Sequence, residues 1–176
     1  MPLRAMSRLL LVTFSACTPE PSADRPPPGP EPTEPCPETL PPVTVLVGTG
    51  DTAYGALAEG DPLLFHLGPQ GGHHVFGALL ATGIDPGDPT DPYGPASPVV
   101  AFSLRVDGDV VAEVSGLPRA FDEVADGFEV AGQLVVFDVA DPPSLDGAAA
   151  TFSGGVEDRC GQTAQAEVGV VLDLAD

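Results

Sequence analysis

Residues 99–115 read VVAFSLRVDGDVVAEVS, and this stretch decides the fold class. Val100, Phe102, Leu104 and Val106 alternate with Ala101, Ser103 and Arg105, the period of two expected of a strand buried on one face. Asp107-Gly108 follows at once. That dipeptide favours the tight two-residue turn whose backbone twist matches antiparallel strands. Beyond it Val110, Ala112 and Val114 alternate with Val111, Glu113 and Ser115, so the stretch reads as a β-hairpin.

The same logic extends in both directions. Towards the C-terminus, Ala150, Phe152, Gly154 and Val156 share one face, a turn runs through Asp158 to Gln162, and Ala164, Ala166, Val168, Val170 and Leu172 point inward on the return. Leu134 to Val139 is apolar on both faces, as expected of a central strand. Val43 to Val47, Leu63 to Leu67 and His74 to Ala81 supply three further candidates, and Phe128 to Val130 a short one. With no amphipathic helix in sight, about eight strands imply an all-β, antiparallel two-sheet sandwich over residues 43–176. Trp is absent and only 6% of the chain is aromatic, so the core must be filled by Val, Leu, Ala and Phe. The pattern looks like an immunoglobulin-like module, although the Cys, Trp and Cys hallmark of true immunoglobulin domains is missing. A small barrel is the alternative.

Ahead of the domain the composition changes twice. Residues 1–17 read MPLRAMSRLLLVTFSAC: a basic stretch with Arg4 and Arg8, a short apolar run from Leu9 to Phe14, then small residues before Cys17. This is a leader and not a fold element, its apolar run being far short of the roughly 20 residues a spanning helix needs. Phe14-Ser15-Ala16-Cys17 resembles the lipobox of bacterial lipoproteins, in which cleavage leaves a lipidated cysteine as the first mature residue. The family usually places an aliphatic residue where Phe14 stands, and simple secretion is the alternative. The resemblance implies a signal peptide over 1–16, lipidation of Cys17 and attachment to a membrane of the cell envelope, on the periplasmic or outer surface. Residues 18–42 hold 11 prolines among 25 positions. Such a tract favours extended polyproline II, a tether of roughly 75 Å at full reach. The whole arrangement is similar to lipoproteins of high-GC Gram-negative bacteria.

Charge narrows the partners. The chain carries 26 acidic residues against 6 arginines and no lysine, a net charge of −20. Loss of Arg4 and Arg8 with the leader leaves −22 (26 carboxylates against Arg25, Arg105, Arg119 and Arg159). Nucleic acid is excluded as a partner, because binding phosphate relies on clustered cations. A protein or glycan partner fits better. Once Cys17 is given to lipid, Cys36 and Cys160 remain, and two thiols in an exported chain are expected to form a disulfide, with free or intermolecular thiols as the alternative.

Catalytic motifs are missing: there is no Gly-x-Ser-x-Gly elbow, His-Glu-x-x-His helix, phosphate-binding loop or Cys-x-x-Cys pair. The chain is read as no enzyme and as needing no cofactor. Its many carboxylates leave a carboxylate-based hydrolase as one rival reading. A periplasmic metal-binding protein is the other, since His66, His73 and His74 form the only imidazole cluster. On a strand His73 and His74 point to opposite faces, whereas a turn through Gly71 and Gly72 brings His66 close to one of them. The loop from Asp85 to Pro98, DPGDPTDPYGPASP, is expected to be a stiff polyproline II spacer whose Asp residues are strung too far apart for a calcium ion. The expected role is a structural or interaction module.

Overall fold

A computed structural model describes residues 35–39 and 41–175. The leader over 1–16, Cys17 and the tether as far as residue 34 lie outside the described residues. Ten strands follow in order: β1 (Thr44–Thr49), β2 (Gly55–Ala56), β3 (Asp61–Leu67), β4 (His73–Thr82), β5 (Val99–Val106), β6 (Asp109–Pro118), β7 (Asp122–Val124), β8 (Gly127–Val136), β9 (Ala149–Glu157) and β10 (Thr163–Leu174). One turn of 3₁₀ helix, Pro142–Leu145, is the sole helical element described. The all-β expectation holds, with short β2 and β7 added to it.

The strands form one mixed sheet in the order β2-β1-β4-β3-β10-β9-β5-β6, with β8 on β4 and β7 on β8. Its pairing is not wholly antiparallel as expected. β3 runs parallel to β10, from Asp61 beside Val170 to Phe65 beside Leu174, while its last residues pair antiparallel with β4. β3 therefore stitches two runs of strands together. A single bridge between Ala112 and Phe137 brings β6 to the end of β8.

The 99–115 stretch behaves as its alternation requires. Val100, Phe102 and Leu104 are buried, and Asp107 and Gly108 close the hairpin with φ of 53° and 90°, the two positive values of a type I′ turn. One detail differs: a bulge between Leu104 and Arg105 turns Val111 inward and leaves Val110 exposed. β9 buries Ala150, Phe152 and Val156 as expected, while on β10 Val170 and Leu172 are buried and Ala164, Ala166 and Val168 are half-buried against the core. Glycines fit the core around Phe102, which stacks on Phe152 at 5.9 Å. A Cβ on Gly77 would stand 2.8 Å from the Phe102 ring, and one on Gly154 would stand 2.6 Å from Leu79 and 3.0 Å from Val47. Only glycine admits so close an approach within a strand.

β8 merges what the pattern divides. Phe128–Val130 and the start of the Leu134–Val139 run belong to one strand, with an irregularity opposite Gly77 to Leu79 and a positive φ at Gly132. The run is not buried on both faces: Val135 and Phe137 are inside, but Leu134 and Val136 are 45% and 50% exposed. Among the described residues, that side of β8 is left half open to solvent.

The Asp85–Pro98 loop is no polyproline spacer. Asp91 N–H bonds to Asp88 C=O at 3.0 Å, Gly94 to Asp91 at 2.9 Å and Ser97 to Gly94 at 3.0 Å, giving three consecutive turns, each with proline at its second position. Proline's fixed φ suits that position as well as it suits polyproline II. The loop is bonded down by Phe121 to Pro86, Ala120 to Pro92 and Arg119 to Pro98. At this end of the molecule Cys36 and Cys160 form a disulfide, their Cα atoms 5.7 Å apart.

Candidate functional site

The hairpin joining β3 to β4 folds because Gly68 and Gly71 supply its turn: Gly71 takes φ of 85°, and Gly68 N–H bonds to Gly72 C=O at 2.7 Å. That register sets His66 directly opposite His74 and Leu67 opposite His73. Alternation then separates the pair as expected. His73 lies on the inner side against Phe65, ring centres 5.9 Å apart. His66 and His74 share the outer side with their rings 6.0 Å apart and inclined by 36°.

Phe76, two residues beyond His74, completes a cluster: its ring lies 5.6 Å from His66 and meets His74 edge-on at 5.1 Å. Leu64 flanks it on β3, while Leu134 and Val136 on β8 stand opposite Phe76 and His74. Together they make an apolar outer face carrying two imidazoles. Burial, then the neighbouring His66, hold the His74 imidazole below its ordinary value, while a hydrogen bond with the Gly72 backbone works in the opposite direction. A shallow cavity of about 370 Å³ adjoins His66 alone of the pair, with Thr49, Asp51, Leu64 and Phe76 also in its lining. The sequence singled out the histidines but not Phe76 or Leu64. Their positions two residues from His74 and His66 on the same strand face were the available signal.

The three histidines do not converge. Among the described residues no group of three or more His, Cys, Asp and Glu side chains is gathered as a metal centre. A larger open groove of about 520 Å³ crosses the outward side of β5, β9 and β10, where Ala101, Ser103, Ser153, Gly155 and Gln165 line a floor rimmed by Glu113 and Glu157. The Ser103 hydroxyl is buried there without a hydrogen-bond partner. Among the described residues lining this groove there is no histidine to serve as a base toward that hydroxyl.

Several carboxylates have structural employment that composition did not reveal. Asp158, 3% exposed, accepts from the backbone N–H of Asp85, Cys160 and Gln162 at 3.2, 2.9 and 2.9 Å. Asp85 pairs with Arg159. Asp88 accepts from both the backbone and the hydroxyl of Thr90, which hold its carboxyl below the usual range. Glu59, Asp61 and Asp146 accept from Gly169, Ala58 and Leu174 N–H groups. Among the described residues no helix is long and apolar enough to cross a membrane. In sequence, the chain matches no protein-family model and no characterised protein.

Proposed function

We propose that this chain is an exported bacterial lipoprotein that holds a non-catalytic structural or interaction module at the cell envelope. Leader residues 1–16 are removed, Cys17 takes the lipid, and residues 18–42 form a tether reaching out from the membrane to the periplasmic or outer surface. The module engages a protein or glycan and needs no cofactor. The observation that carries this reading is the Cys36–Cys160 disulfide, because such bonds persist in oxidising compartments outside the cytoplasm. It agrees with the leader, which addresses the chain to such a compartment.

The disulfide also ties residue 36 to the sheet. It joins the end of the proline tract to the turn between β9 and β10, at the end of the strands opposite the Gly68–Gly72 and Asp107–Gly108 turns. In finer architecture we read the sheet as an immunoglobulin-like sandwich. In support, β2, β1, β4, β8 and β7 are successive neighbours, as are β3, β10, β9, β5 and β6, and Gly154 of the second run faces Val47 and Leu79 of the first.

Intact mass of the protein extracted from native membranes tests the anchor. A chain beginning at Cys17 with the added mass of acyl groups is the expected result. Recovery of an unmodified, soluble mature chain would overturn it.

A further inference from the structure

We propose that His66 and His74 form a two-imidazole binding site for a divalent transition ion, Cu(II) or Zn(II), with the remaining coordination positions open to water. The site excludes His73, which the sheet places on the other side. It stands whether or not Cys17 carries lipid.

Three features of the hairpin favour it. First, the reach is right: with nitrogens about 2.0–2.1 Å from a tetrahedral ion, two imidazole rings sit roughly 5 Å apart, so rings now at 6.0 Å need close by only about 1 Å. Small side-chain rotations supply that, and the paired strands hold both Cα atoms in place. Second, the His74 Nδ1 lies beside the Gly68–Gly72 turn, where a Cβ on Gly68 would stand 3.4 Å from it, leaving Nε2 as the lone-pair donor toward the ion. Third, the surroundings suit a cation. Asp51 lines the adjoining cavity with His66, and Asp173 stands beside Leu64 in the register of β10 with β3. The chain as a whole carries a net charge of −20 and no lysine to compete. Neutral imidazole is a ligand preferred by copper and zinc over the harder magnesium and calcium, and copper binds a given nitrogen site most tightly. With two protein ligands and open positions, the site is built for exchange more than for permanent structural metal.

The test is titration of Cu(II) alone into the full, tag-free chain, with parallel variants His66→Ala, His74→Ala and His73→Ala. Binding is followed by calorimetry, and pulsed EPR of the copper complex counts imidazole nitrogens. One ion per chain and two coupled imidazoles are expected. Loss of an outer-shell partner typically costs about 10–100-fold in affinity, so losing His66 or His74 as a direct ligand is expected to cost about 100-fold or more. His73→Ala should bind as the parent does. Urea melts of each variant confirm that the sheet is intact. Copper bound equally well by the doubly substituted His66→Ala, His74→Ala chain would overturn the proposal. So would a spectrum with one imidazole, or a His73→Ala chain weakened as much as His74→Ala.

Discussion

Replacing Cys36 and Cys160 with serine should destabilise the domain through its unfolded state. Residues 35–39 are exposed, so opening the bond removes little packing from the folded protein. What it releases is a chain segment joined across a sequence separation of 124 residues, for which the loop-entropy relation gives about 5 kcal/mol at 25 °C. Against a usual total of about 5–15 kcal/mol, that is a third or more of the stability. For a domain of this size each kcal/mol moves the melting temperature by about 2–4 °C, so a fall of roughly 10–20 °C is expected. Urea denaturation of the oxidised parent and the double serine variant separates the mechanism from its rivals. The unbridged chain unfolds to a more expanded state and should therefore show a steeper denaturant dependence as well as a lower midpoint. A loss below about 1 kcal/mol with an unchanged slope would refute the entropic account.

Three further outcomes are expected. Gly154→Ala drives a methyl group into Leu79 and Val47 and should cost about 1–3 kcal/mol in thermal melts; a neutral result would mean that β9 does not pack against β1 and β4 in this way. Asp158→Ala strands the N–H groups of Asp85, Cys160 and Gln162 and should cost about 3 kcal/mol, and parent-like resistance to urea would contradict the capping role. NMR titration should place the His74 midpoint below the ordinary 6.5, and Phe76→Ala should raise it by uncovering the ring. Because its folded value is the lower one, the unfolded chain takes up this proton first as pH falls. The contribution of His74 to stability is then complete above about pH 6.5 and is lost below it, and a midpoint at or above 6.5 would reverse that sign.

The elements legible in the sequence were those specified by neighbours a few residues apart. Alternation from Val100 to Leu104 needed only the strand period, and the Asp107–Gly108 turn needed only the left-handed freedom of those two residues. The parallel contact of β3 with β10 had no such local source. Its partners, Asp61 and Val170, lie more than 100 residues apart, and nothing in either segment's alternation says which edge will meet which. Burial of β8 failed for a related reason: an apolar run shows which residues tolerate a core, while the layers around it decide which enter one, and Leu134 and Val136 stay outside. His66 and His74 were half legible. Alternation separated His74 from His73, but only the register of the hairpin put His66 across from it.

The acidic loop shows how one periodicity serves two structures. Proline every third residue satisfies polyproline II, and it equally places proline second in each of three overlapping turns. Side chains between the prolines break the tie: Asp88 and Asp91 stand first in their turns, Gly94 stands fourth, and the Asp88 carboxylate locks Thr90 in place. The same chemistry changes the meaning of the net charge. Read as composition, a charge of −20 is only mutual repulsion. In the fold, carboxylates such as Asp61, Asp88, Asp146 and Asp158 accept the N–H groups that turns and strand ends leave unpaired. A chain built from many short strands has many such ends, so part of its acidity is the hydrogen-bonding cost of its own topology, and adding lysines to neutralise it would leave those N–H groups no better served.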